Sequence, residues 1–307
     1  FAHGDTYGSL FGATKNPYDF LRTAGGSSGG SAASVASNFC TIAVGQEGYA
    51  SICRPSSWNC VVGMRPTAGL VSRSGVYGGW PLINGTLGPM ARNVSDLTKL
   101  LDVIVGYDPE DPVTAFGQNH VAEPFVSYLD KDGLKGSRIG VLRESIGANS
   151  EPDSEDFRKV TEVFDKAVAD IRASGAIVVD PIIIPDLKEL LSLRATNSAD
   201  EESSLERFMA RSKNPPYRTR SEIMNSAEFS KVSKRARDQW NRKVSESEHY
   251  KFLKAREQLM TNLLNVMAIH NLDAICIKSV EHQSTYIEDG LNPPFVNHKG
   301  AHHLSTF

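Results

Sequence analysis

Apolar and polar positions along the chain follow two different periods, and each period marks out its own kind of element. Residues 94–106, "VSDLTKLLDVIVG", carry apolar side chains at helical spacing, and Gly106 ends the segment. Phe157, Val160, Phe164, Ala167, Val168 and Ile171 repeat that spacing, and Gly175 closes it. Four short apolar runs predict strands: "FCTIAVG" (39–45), "SRIGVLRE" (137–144), "AIVVD" (176–180) and "LDAICIKS" (272–279), the first of them buried. Strand, helix, strand order predicts an α/β sandwich with a mostly parallel or mixed sheet. Residues 186–268 are charged, poor in glycine and mostly helical in pattern, and are expected to form surface helices that cap the site. There is no internal repeat.

Composition changes this picture little. With 307 residues and 40% hydrophobic content, the chain can bury a core without disulfides or metals, and it is read as a single domain over 1–307. A net charge of −3 with dispersed basic residues speaks against nucleic acid or an anionic membrane as partner. No apolar run is long enough to span a bilayer. Cys40, Cys53, Cys60 and Cys276 are too scattered for a disulfide framework or a zinc site, which makes a cytoplasmic protein the default expectation. Nothing in the sequence opposes a homodimer.

The segment "AGGSSGGSAAS" (24–34) has the look of a flexible tether, but its flanks do not. "SAASVASN" has the small-residue texture of a helix packed closely against other backbone, and an apolar strand comes after it, whereas a linker stays polar on both sides. A phosphate loop would need GxxxxGK[ST], and no lysine is near. The GxGxxG spacing of dinucleotide sites is absent too, because Gly25, Gly26, Gly29 and Gly30 come in adjacent pairs.

The residues beyond the loop carry more information. "RTAGGSSGGSAASVAS", then "VGQEGYASICRPSSWNCVVGMRPTAGLVSRSGV", resembles the amidase signature family of serine hydrolases. The likeness extends upstream to "FGATKNPYD" and downstream through "LGPMARNVSDLTKLLDVIVGYDPEDP", reaching about residue 185. It implies the family's fold, a mixed central β-sheet sandwiched by α-helices, and a Ser-cisSer-Lys triad that cleaves amide bonds without metal or organic cofactor. By position in the motif, Ser27 is the bridging serine, preceded by a cis peptide, and Ser51 is the nucleophile. The oxyanion hole falls on the backbone N–H groups of Gly48, Tyr49, Ala50 and Ser51. Gly25, Gly26, Ser28 and Gly29 support the loop, and Ser28 and Ser31 are expected to hydrogen-bond within it and cap the next helix. The chemistry suits these residue types: a serine hydroxyl is a weak nucleophile that needs a base, and backbone donors stabilise the oxyanion it creates.

The sequence departs from the family pattern GTDxGGSIRxP at three places. Glu47 keeps the carboxylate with one more methylene, Tyr49 and Ala50 replace two glycines, and Cys53 stands where arginine is usual, with Arg54 beside it. The expected reaction is therefore hydrolysis of a small-molecule carboxamide, extending to carbamates or aryl amides. An amidotransferase subunit working in a complex, or a non-catalytic scaffold, is the alternative. Lys15 is the only lysine before Ser27 and lies in a turn-forming stretch whose family counterpart is not catalytic. The catalytic lysine is accordingly expected from a segment before Phe1, and the chain is expected to be a partial view of the enzyme at both ends.

Overall fold

A computed structural model describes residues 7–8, 12–48, 50–76, 85–145, 152–194, 198–230 and 234–287. Two short hairpins come first. β1 (Tyr7–Gly8) pairs antiparallel with β2 (Gly12–Ala13), and β3 (Lys15–Asn16) with β4 (Asp19–Thr23). The glycine loop and the segments after it then form α1 (Gly29–Ala36), β5 (Ile42–Glu47), α2 (Cys53–Trp58), β6 (Val62–Gly63), β7 (Thr86–Ala91) and α3 (Val94–Ile104). β7 lies between β5 and β6 in an antiparallel sheet. Small residues let α1 sit tightly on this sheet: Ala32 and Val35 are wholly buried, and Ala32 packs with Ile52 and Met90.

A second layer is built from β8 (Arg138–Leu142), α4 (Glu155–Ala173), β9 (Ile177–Ile182), α5 (Leu187–Ser192), α6 (Ser198–Ala210), α7 (Arg220–Met224), α8 (Ala227–Ser230), α9 (Lys234–Asn241), α10 (Glu246–His270) and β10 (Ala274–Cys276). The strands run parallel in the order β10-β8-β9. A parallel sheet needs cover on both faces, and the alternation along β8 provides for it. Val141 packs with Phe164 and Val168 of α4, while Leu142 packs with Ile182, Leu259 and Val266, the last two from α10. The α/β class inferred from the sequence holds. Among the described residues, no strand pairing joins the antiparallel and parallel sheets.

Helix limits are set by their caps. Asn93 accepts the N–H of Asp96 to start α3, Ser154 accepts that of Phe157 to start α4, and Ser245 with Glu248 forms a capping box on α10. Gly175, at φ +90°, ends α4 as its position suggested. The predicted strand at 39–45 is shifted, because Phe39 is 85% exposed in the turn after α1 and β5 starts at Ile42. β5 is also less buried than its apolar sequence suggests, since it pairs with β7 alone and exposes Ile42 and Val44. Its other side is occupied by side chains of the glycine loop. The Ser28 hydroxyl accepts the Gln46 N–H at 3.0 Å and donates to the Gln46 carbonyl, while the Ser31 hydroxyl donates to the Val44 carbonyl at 2.9 Å. Ser28 is thus a cross-link to β5 and makes no side-chain cap on α1.

Candidate active site

The loop before α1 is held from below by two separate segments, residues 54–59 and 282–285. Gly25 adopts φ +74°, and a Cβ there would lie 2.7 Å from Trp58 Cε3, so only glycine lets the chain pass over the indole. Trp58 Nε1 donates to the His282 carbonyl at 3.0 Å, and the Thr23 N–H to the Thr285 carbonyl at 2.9 Å. Asn59 Nδ2 reaches the Ala24 carbonyl at 2.7 Å. The next peptide, Gly26–Ser27, is cis, and the Gly26 carbonyl accepts from Arg54 Nη2 at 2.9 Å. Arg54 is 4% exposed and lies over the Trp58 ring. Ser27 itself is exposed, while Gly25, Gly26, Ser28 and Gly29 are buried around it.

The second serine lies between the end of β5 and the start of α2. The Ser28 N–H donates to the Ser51 carbonyl at 3.0 Å, so the two serine-bearing segments are joined directly by backbone. Ser51 is half-buried and Ala50 is buried. Among the described residues, the N–H groups of Gly48, Ala50 and Ser51 make no hydrogen bond, and no hydrogen bond links the Ser27 and Ser51 hydroxyls. Tyr49, the remaining oxyanion candidate, lies outside the described residues. Lys15 is exposed on β3.

Glu47 fixes the shape of this turn. Its carboxylate is wholly buried and accepts the N–H groups of Ile52 at 2.6 Å and Cys53 at 2.8 Å, with Arg65 Nε 3.7 Å away. Burial pulls the Arg65 guanidinium below its ordinary range, and Glu47 works against that shift. The extra methylene relative to aspartate therefore still delivers a carboxylate to the turn just after Ser51.

Cys53 takes the place of an arginine without taking over its charge. Burial, followed by the field of Glu47 and a hydrogen bond to it, pushes the thiol up to about 12. Only about 10⁻⁴ of the thiol would be ionised at pH 8. Cys60, by contrast, is exposed in a left-handed turn at φ 54° rather than sitting in the core. Iodoacetamide at pH 8 is expected to alkylate Cys60 readily and leave Cys53 unmodified, as read by peptide mass mapping. Equal modification of the two would contradict this environment for Cys53.

Four contributors to the site had little or no local signal in the sequence. Arg54 was legible only as a neighbour of Cys53, whereas its long reach to Gly26 ties α2 to the cis peptide. Arg65 beside Glu47 and the 282–285 segment beneath the loop meet the site only through tertiary folding. Arg194 Nη2 donates to the Gly48 carbonyl at 3.1 Å from 146 residues away. Among the described residues, no group of three or more His, Cys, Asp or Glu could hold a metal, and no helix is long and apolar enough to cross a membrane.

Comparison with known proteins identifies the family to which the chain is similar. The amidase family profile matches residues 2–293. A probable amidase of Arabidopsis thaliana is 36% identical over 195 residues, covering 63% of this chain and 35% of the relative. The A subunit of the glutamyl-tRNA(Gln) amidotransferase of Microcystis aeruginosa is 39% identical over 179 residues, covering 58% of this chain and 35% of that protein. The solved structure of native peptide amidase from Stenotrophomonas maltophilia superposes with a TM-score of 0.73 at 28% identity, covering 88% of this chain and 55% of the other. The chain thus spans about a third of the length of these curated relatives and just over half of the peptide amidase.

Proposed function

The chain belongs to the amidase family, and from that membership and the geometry around Ser51 we propose that it is the catalytic part of an amide-bond hydrolase. The observation that carries this reading is the 3.0 Å bond from the Ser28 N–H to the Ser51 carbonyl, which sets an accessible Ser27 beside a half-buried Ser51. The N–H groups of Gly48, Ala50 and Ser51, which make no hydrogen bond among the described residues, support it further.

In this mechanism the Ser51 oxygen attacks the carboxamide carbon as its proton moves to Ser27, whose own proton passes to an unprotonated lysine. The carbonyl π electrons move onto oxygen, and the N–H groups of Gly48, Tyr49, Ala50 and Ser51 stabilise the charge, each such donor being worth about 3 kcal/mol. Collapse breaks the C–N bond, and the proton returns through Ser27 to the leaving amine. The acyl group stays on Ser51 until a water attacks it, losing its proton through Ser27 to the lysine; collapse releases the acid, and the proton returns through Ser27 to the Ser51 oxygen. No step requires a metal or an organic cofactor. Tyr49 and Ala50 stand where glycines are usual, which should alter the acyl groups accepted, and the expected substrates include carbamates and aryl amides.

The similarity to the A subunits of amidotransferases favours a second reading, in which released ammonia is handed to a partner protein. Turnover separates the two. The isolated full-length protein is expected to release amine or ammonia from simple carboxamides and carbamates without any added protein. Release that occurs only when a partner complex is supplied would favour the amidotransferase reading, and no release under either condition would leave only a non-catalytic scaffold.

A further inference from the structure

Beyond the two serines, we infer that Arg194 is a positioning residue for the oxyanion strand, through which the helical region 186–268 acts on the reaction centre. The inference rests on the hydrolase reading above. Arg194 stands two residues after α5 and donates from Nη2 to the Gly48 carbonyl at 3.1 Å. Gly48 directly follows Glu47, whose carboxylate is fixed by the Ile52 and Cys53 N–H groups. The chain leaving β5 is therefore held by the Glu47 carboxylate on the Ser51 side and by Arg194 at the Gly48 carbonyl.

The chemistry of the amide explains what this contact does. The Gly48 carbonyl belongs to the same peptide group as the Tyr49 nitrogen, one of the proposed donors. A charged donor on the carbonyl oxygen polarises that amide and strengthens its N–H toward an anion, while also fixing the carbonyl's orientation. A fixed guanidinium on the strand further favours negative charge as it develops, with no reorganisation during the reaction.

The helix that leads to Arg194 is packed into the core. Leu187 of α5 is 2% exposed and packs in one core with Ile182, Ile184 and Leu259, with Leu190 and Leu191 against the same cluster. Asn262 of α10 donates to the Pro185 carbonyl at 2.8 Å, just ahead of α5. A group that shapes the strand without touching substrate should change the rate of the covalent step and spare substrate affinity.

Labelling by a fluorophosphonate reads that step directly. The Ser51 oxygen bonds to phosphorus, fluoride leaves, the hydroxyl proton passes to the base, and the phosphonyl oxygen occupies the oxyanion position. In the full-length protein, Arg194→Met is expected to lower the maximal labelling rate about tenfold. The half-saturating probe concentration and the urea unfolding midpoint should stay at the parent's values. Arg194→Lys, which keeps the charge but loses the planar fork, should fall between the two. Parent-like maximal rates in Arg194→Met, or an effect confined to half-saturation, would overturn the inference. If Arg194→Met does not fold, Arg194→Lys decides alone: a lower maximal rate at unchanged half-saturation supports the role, and an unchanged rate overturns it. Failure of the parent to label at Ser51 would overturn the hydrolase reading and this inference together.

Discussion

Ser51→Ala is expected to lower amide turnover in the full-length protein by about 10⁴-fold or more while leaving the fold intact. The size of the effect comes from covalent catalysis, because without the Ser51 oxygen the acyl group has nothing to bond to. The fold should survive because the contacts of this residue run through its backbone. The Ser51 carbonyl accepts the Ser28 N–H, and the Ser51 hydroxyl makes no hydrogen bond among the described residues. The unfolding free energy should stay within about 1 kcal/mol of the parent. Ser27→Ala should also be severe but less so, since a water molecule at the vacated site could carry part of the proton relay. Initial rates on one carboxamide across the three proteins check both points. Parent-like turnover in Ser51→Ala would remove Ser51 from the mechanism.

The largest effect on stability is expected at Glu47. Glu47→Ala removes a wholly buried carboxylate that accepts two backbone N–H groups and faces Arg65 at 3.7 Å. Taking one member from a buried charged pair typically costs about 3–5 kcal/mol, and here two backbone N–H groups lose their acceptor as well. Urea unfolding should show a loss of about that size. Glu47→Gln keeps an oxygen for the N–H groups of Ile52 and Cys53 but gives up the charge, so it should fall clearly between Ala and the parent. Both variants should lose activity together with stability, since the Ser51 turn is built on this carboxylate. An Ala variant within about 1 kcal/mol of the parent would mean that the turn is held by something else.

What could be read from the sequence was whatever is encoded locally. The periodicity of α3 and α4 comes from one buried stripe on each helix, so the apolar positions are visible without a partner. The texture of α1 is equally local, because a helix that packs against backbone must be made of small residues throughout. The motif around Ser27 and Ser51 was legible as a resemblance, and with it came the cis Gly26–Ser27 peptide. β5 was harder. Its apolar run reads as a buried strand, but its exposure depends on having one paired neighbour, which no local pattern records. Ser28 shows the same limit: its place before a helix suggests a cap, while tertiary proximity to Gln46 makes it a cross-link. Arg54, Arg65 and Arg194 meet their partners only once the chain has folded, and a charged residue in a polar stretch gives no sign of a buried destination. Cys53 beside Glu47 belongs to the same group, since the environment of its thiol is set by packing.

The most direct test of the central claim is to trap the acyl-enzyme and locate it. Full-length protein turning over an activated amide is quenched in acid and digested, and its peptides are weighed. The account predicts one added acyl mass, carried by the peptide containing Ser51 and absent from Ser51→Ala. An acyl group on another residue, or steady turnover with no adduct at any time point, would contradict it.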